Sequence, residues 1–381
     1  MSAQVDTVLR APQMITGGTT TSDGWVAFHQ GRISAVGSGP APSARQVIDD
    51  GAILVPGYVD IHCHGGGGHG FDDGPTAISH ALAYHRAHGT TRSVLSLITA
   101  PMEDLLDRVE AARQVCAADS RLLGIHLEGP FLSSNHRGAH AESMLLDPLA
   151  GHIEALLDAA GGRLAQVTLA PELPNGLRAL DTLVQAGVRV AVGHSAADYD
   201  QAAAAFDAGA TILTHAFNGM VGMHHRAPGP VLAAADAPDV TCEVINDGSH
   251  VHPRVVRLLH DLAPGRVAYI TDAMVAAGCA DGSYRLGTLA VTVTDGVPRL
   301  DSDGSIAGST LTMQGAVQQA VRIGVPLPEA VQAATQIPAR ALGQAGRIGA
   351  LQPGYCADAL LLDQDLQVRQ VWADGQRVGT G

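Results

Sequence analysis

Two histidines one residue apart, His62 and His64 in "VDIHCHGGGGHGFDD", raise the question of what chemistry this chain could perform. Such a pair is a metal-ligand signal only when further donors converge on it. Further along stand Glu128 in "GIHLEGP", His194 in "VGHS", His215 in "LTHAFN" and Asp272 in "YITDAM", with "VINDGSH" between the last two. Each follows a short apolar, β-prone run. Taken singly, each has an ordinary explanation: a strand-end histidine commonly hydrogen-bonds for structure, and a glutamate before Gly-Pro can simply close a turn. Together they offer the imidazole and carboxylate donors of a divalent cation, Zn2+ foremost, with Fe, Mn or Co also accepted by such a set. A catalytic ion would use only some of them and keep one position free for water.

The elements around these residues predict how they meet. Candidate strands cover 57–62, 91–98, 121–127, 164–171, 188–193, 211–215, 240–246 and 266–271. Ala- and Leu-rich helical stretches follow most of them, among them "PTAISHALAYHRAHG", "MEDLLDRVEAARQVCAA", "GLRALDTLVQAG" and "AADYDQAAAAFDAG". Eight such βα units over about 280 residues predict a (β/α)8 TIM barrel, whose functional groups gather at the C-terminal ends of the strands. A doubly wound sheet would usually carry fewer strands, and "GGGGHG" does not fit a dinucleotide fingerprint. In the barrel, the residues above become the ends of strands one, three, five, six and eight. Strands two and four offer only Ser96, Thr99 and Glu172. Cys63 should point away from its flanking histidines by strand alternation and reads as structural. His80, His85, His88 and His152 fall in helical stretches, and His224 and His225 on a loop after strand six.

Both chain ends read differently from the middle. Residues 1–55 and 345–381 alternate apolar and polar positions around turn residues such as "QGR" and "DDG", predicting a small β-sandwich domain built from both ends. The barrel would occupy 56–344, with a β-hairpin insertion near 283–306. A formal charge of −14 argues against nucleic acid as a partner. No apolar run suggests a membrane span, and the N-terminus lacks a signal-peptide pattern. Five scattered cysteines without CxxC spacing point to a reducing, cytoplasmic setting.

The motifs resemble those of the amidohydrolase superfamily and, within it, the N-acetylglucosamine-6-phosphate deacetylases. The resemblance rests on "PGYVDIHCHG", "GIHLEGPFL", "GAH" (138–140), "VGHS", "THAFNGM", "RAPG" (226–229), "NDGSHVHP", "ITDAM" and "AGSTLTM". It implies metal-dependent hydrolysis of the acetamide of an amino-sugar phosphate. It also implies that Glu128, His194 and His215 bind the principal metal, with Asp272 as general base and acid. His140 would contact the substrate near the reacting carbonyl, and Asn218, Gly219, Arg226 and His250 would bind the sugar phosphate. Arg226 would reach in from the partner subunit of a homodimer. Some members replace the first-strand histidines with amides and use one metal. This chain keeps His62 and His64, so one or two ions per chain both remain open. Another amidohydrolase, dihydroorotase-like or acting on N-acyl amino acids, is the alternative, although no lysine stands at a strand end to form the carbamylated bridge many of them use. A third reading is a barrel without catalysis that serves as a binding module.

Overall fold

A computed structural model describes residues 5–379, which fall into two compact units. One unit takes residues up to Asp60, Ala83–Arg92 and Thr312 onward; the other takes Ile61–Leu82 and Ser93–Leu311.

In the first unit, eight strands from both chain ends join one sheet. Ala359–Leu362 pairs antiparallel with Ile53–Pro56, which ties the C-terminal strands to the N-terminal ones. Val5–Thr16 splits one edge between two parallel partners, Ala44–Ile48 along its first half and Ile53–Pro56 along its second. Leu9, Met14, Phe28, Leu54, Leu361 and Trp372 form the core beneath it. The small β domain expected from both chain ends is therefore present, with its strands joined in a single sheet.

Arg92 is the largest fully buried side chain among the described residues. Its guanidinium donates to Asp358 through Nε at 2.6 Å and Nη2 at 2.9 Å, and Nη2 also reaches Asp374 at 2.5 Å. The Asp374 backbone N–H donates to the same Asp358 carboxylate at 2.9 Å. Two parallel N–H bonds to one carboxylate offset much of the desolvation that burial imposes on both ions.

The eight-stranded parallel sheet runs Tyr58–Asp60, Thr90–Ile98, Leu122–Glu128, Leu164–Leu169, Arg189–Val192, Ile212–Leu213, Thr241–Ile245 and Val267–Ile270, each neighbouring the next. The ends of the first and last strands meet: the Asp272 N–H donates to the His62 carbonyl at 2.9 Å, and the His64 N–H to the Ala273 carbonyl at 2.8 Å. The predicted (β/α)8 barrel is thus formed. Its strands are covered on both faces, as parallel strands are, and Thr90–Ile98 is buried at every position. Helix Met102–Ala118 buries Leu105, Val109, Ala112 and Cys116, one stripe at helical spacing. Helix Tyr199–Asp207 begins at Asp198, whose carboxylate accepts from the Gln201 N–H in a capping box.

After the last barrel strand, Gly282–Leu286, Leu289–Thr294 and Val297–Leu300 form an antiparallel meander. The two-residue turn Gly287-Thr288 carries Gly287 at φ 56°, the conformation a tight hairpin asks of its first central residue.

Removing Asp358 leaves the buried Arg92 guanidinium with only the partly exposed Asp374 carboxylate beside it. Asp358→Ala should lower unfolding free energy by about 3–5 kcal/mol, measured by chemical denaturation; a loss under about 1 kcal/mol would mean that the pair behaves as a surface one.

Candidate active site

Unusual backbone turns aim the site residues. His194, His215 and Asp272 have φ of 46°, 26° and 47°, in the left-handed region that side chains other than glycine rarely adopt. All three stand just past the ends of their strands. Hydrogen bonds hold the turns: the Ser133 N–H donates to the His194 carbonyl at 2.8 Å, and the Ser309 N–H to the Asp272 carbonyl at 2.7 Å. Strain of this kind persists only where the surroundings over-determine it. Gly219 is part of that surrounding. A Cβ there would lie 2.8 Å from His194 Nδ1, so the loop can approach the ring this closely only as glycine.

The side chains so aimed converge on Glu128. Its Oε1 lies 3.0 Å from His194 Nε2 and 3.1 Å from His215 Nε2, and these two nitrogens are 3.0 Å apart. Its Oε2 lies 3.0 Å from His64 Nε2. His62 Nε2 is 3.1 Å from His64 Nε2 and 3.4 Å from Glu128 Oε1. Asp272 Oδ1 is 3.5 Å from both His62 and His64. Two candidate ligand groups result, one of His62, His64, Glu128 and Asp272 and one of Glu128, His194 and His215, with Glu128 in both.

The outer ring nitrogens show why a cation fits. His194 Nδ1 donates to the His136 carbonyl at 2.8 Å, and His215 Nδ1 to the Asn218 carbonyl at 3.2 Å. Carbonyl oxygen only accepts, so each Nδ1 carries a proton, and in the neutral ring the inner Nε2 presents a lone pair. His62 Nδ1 likewise donates to the Glu243 carboxylate at 3.2 Å. Lone pairs facing each other and a carboxylate oxygen at about 3 Å repel unless positive charge lies among them. Outer nitrogens anchored on acceptors and inner ones bare form the usual arrangement of metal-binding histidine.

Without a cation, protons on the imidazoles supply the positive charge instead. Burial pushes the Glu128 carboxyl up, but His62 and the hydrogen bonds from His140, His194 and His215 outweigh it and hold the group well below the usual range. Burial opposes charge on His62 and His194 as well, yet Glu128 raises both, with Asp272 adding to the effect. Deeper in the barrel, burial and the neighbouring His62 push His126 well below its ordinary value, so that ring is neutral. His126 bridges Ser96 Oγ and Thr168 Oγ1, both at 2.9 Å, and packs edge-on against His62.

Above Glu128 opens a cavity of about 360 Å3. His64, Glu128, His140, His194, His215, Asn218, Gly219, His250 and Asp272 line it, so all but two of the residues expected from the sequence meet in one place. His62 lies beneath, fully buried. Arg226 is exposed and lines no part of the cavity; its Nη1 lies 2.8 Å from the adjacent His225. His140 Nε2 stands 3.5 Å from Glu128 Oε2, and its Nδ1 shares a 2.9 Å hydrogen bond with Thr99. His250 Nδ1 donates to Asp247 at 2.7 Å. Glu172 instead accepts from Ser195 and the Ala196 N–H, and Cys63 turns its thiol toward the Gly65 carbonyl.

Sequence reasoning missed Glu243, His126, Gln166 and the meander's Leu286, Ser305 and Ile306. Glu243 is fully buried; besides His62 it accepts from Gln166 Nε2 at 3.0 Å and the His215 N–H at 3.4 Å. A carboxylate in the middle of "TCEVI" and an imidazole two residues before Glu128, each inside a buried strand, were the available signals.

Residues 53–378 match the amidohydrolase family. N-acetylgalactosamine-6-phosphate deacetylase of Escherichia coli O157:H7 is 39% identical over 97% of this chain and 98% of its own length. N-acetylglucosamine-6-phosphate deacetylase of Vibrio furnissii is 34% identical over 97% and 94%. The solved structure of a variant N-acetyl-D-glucosamine-6-phosphate deacetylase from Mycobacterium smegmatis, in complex with N-acetyl-D-glucosamine-6-phosphate, superposes with a TM-score of 0.94 at 42% identity, over 99% of this chain and 100% of that one. The converging ligand set, the barrel that delivers it and these matches agree: the chain belongs to the amidohydrolase family.

Proposed function

We propose that the chain hydrolyses the acetamide of N-acetyl-D-glucosamine 6-phosphate, giving D-glucosamine 6-phosphate and acetate in amino-sugar catabolism or cell-wall recycling. The observation that carries this reading is Glu128 held between two sets of bare imidazole nitrogens, with Asp272 at 3.5 Å from one set and the cavity open above. Near-full-length relatives named as hexosamine 6-phosphate deacetylases supply the substrate class.

The residues divide the work as follows. Glu128, His194 and His215 would hold one divalent cation, and His62, His64, Glu128 and Asp272 a second; Zn2+ suits the nitrogen and carboxylate donors. Such a cation, when bound, lowers the pKa of water from about 15.7 to about 7 and polarises the amide carbonyl. Asp272 accepts the attacking water's proton as the new C–O bond forms. It then returns that proton to the sugar nitrogen as the C–N bond breaks, so the amine departs neutral and leaves acetic acid, which releases water's second proton to solvent and becomes acetate. His140 lies beside the reacting carbonyl, where negative charge grows. Asn218 and Gly219 face the sugar, and His250, oriented by Asp247, faces the phosphate.

No arginine or lysine lines the cavity among the described residues, yet a phosphate dianion calls for fixed positive charge. Arg226, exposed on its loop, suits supply from the partner of a homodimer. The five cysteines form no disulfide, which fits a reducing cytoplasm, and no described helix is long and apolar enough to cross a membrane.

A second reading concerns the sugar. The galactosamine-type relative is the more similar of the two curated ones described, and the two substrates differ only in configuration at C4. Acetate release from both epimers, compared by kcat/KM, decides between them.

Asp272→Asn should lower kcat by roughly 10²–10⁴-fold while the cation of Glu128, His194 and His215, to which Asp272 is no ligand, remains by mass spectrometry; a variant that keeps its turnover would remove Asp272 from the proton path. Glu243→Gln should weaken the His62/His64 site by about 10–100-fold, so dialysed protein drops from about two ions per chain to about one. Unchanged content would show that Glu243 has no hold on that site. Arg226→Ala and Asp272→Asn proteins should each be nearly inactive; refolded together, their mixed dimers should recover about a quarter of wild-type turnover, since one intact site forms in half the dimers. Without recovery, Arg226 does not act across subunits.

A further inference from the structure

The large aliphatic side chains of the barrel mouth gather mostly on one side, with Ile245 at the end of strand seven the exception. Asn218, Gly219 and His250 come from loops after strands six and seven. Across the cavity, Ile98 ends strand two, Ala139 follows strand three, and Leu286 and Ile306 come from the segment after strand eight. Strand eight lies between strands seven and one, and the packing of Leu286 with Ile98 in one cluster sets the segment after it on the strand-two side. Ile98 and Leu286 belong to a buried cluster with Met274, Val291, Val293 and Leu300, and Ala139 packs against it. The meander thus has its own core, and that core backs one wall of the cavity. Its turn is seated on Ile98: a Cβ on Gly287 would fall 2.5 Å from Ile98 Cδ1.

We propose that this wall, Ile98, Leu286 and Ile306, receives the acyl methyl group and sets the length of acyl chain the enzyme accepts. The assignment rests on the deacetylase reading above. An N-acyl hexosamine phosphate has one apolar end and one polar end, joined at the amide that must lie over Glu128 and Asp272. The hydroxyls and phosphate need the hydrogen-bonding side, which leaves the acyl group facing the apolar side. Leu286 is 9% exposed and Ile98 5%, and the cluster behind them leaves little room to retreat. Close-packed walls of this kind discriminate against one added methylene by about 10–200-fold.

The test compares kcat/KM for N-acetyl-, N-propionyl- and N-butyryl-glucosamine 6-phosphate in wild type, Leu286→Ala and Ile306→Ala. Wild type should favour acetyl over propionyl by at least about 10-fold, and each variant should raise the propionyl-to-acetyl ratio by about 10-fold. Circular dichroism and thermal melting check that Leu286→Ala keeps the meander, and half-buried Ile306 gives an independent reading if it does not. Ratios within about 2-fold of wild type in a folded variant, or equal losses for all three substrates as a sugar-contacting wall would give, overturn the proposal. If wild type releases no acetate from the acetyl substrate, the deacetylase reading itself fails; if it releases acetate but prefers no chain length, only the gauge fails.

Discussion

The constraint on which the rest of the site depends is the buried charge of Glu128. An unpaired carboxylate at 4% exposure would lose several kcal/mol of hydration and take up a proton instead. Here five imidazoles surround it, from His62, His64, His140, His194 and His215, and they keep it ionised. That requirement explains why strand ends distant in sequence must converge. It also explains the second layer, because an acceptor on the outer nitrogen fixes which nitrogen the rings of His62, His194 and His215 turn inward. Glu243, the His136 carbonyl and the Asn218 carbonyl are those acceptors. Loss of any one frees a ring to flip its tautomer and turns a lone pair into an N–H.

The barrel supplies the convergence but not the final aim. Strands end pointing along the barrel, and a side chain at an ordinary strand end would alternate inward or outward. Left-handed turns at His194, His215 and Asp272 redirect the chain at the last residue and swing these groups over the centre. Those conformations are unfavourable on their own, so the loops that hold them carry structural weight that their exposure would not suggest. Gly219 does so by leaving space for the His194 ring, and the AGST segment by pairing with the backbone around Asp272.

Much of the fold was legible in the sequence because parallel strands buried on both faces read as short apolar runs, and most were followed by a helical stripe. The inner ligands were legible for a related reason: polar groups at the ends of such runs are conspicuous. Glu243, His126 and Gln166 were not, since a polar residue inside a buried strand is visible only once its partner across the barrel is known. Gln166 and Glu243 are 77 residues apart, and no local pattern links them. Leu286 and Ile306 were hidden for the opposite reason. Their hairpin alternation was plain, but alternation says which residues share a face, not that the face borders a catalytic cavity.

Charge sets a further condition on the site. The chain has 23 basic residues and contains no lysine, so every permanent side-chain cation is an arginine, against 37 acidic residues. The absence of lysine excludes a carbamylated bridge anywhere in the protein and leaves Glu128 as the anion common to both ligand groups. Among the described residues the cavity lining brings Glu128 and Asp272 but no arginine. Histidine protons or bound cations must therefore neutralise those carboxylates before an anionic phosphate meets a favourable field. Affinity for such a substrate is tied to the occupancy of the same side chains that do the chemistry, and stripping the site of positive charge disables binding and turnover together.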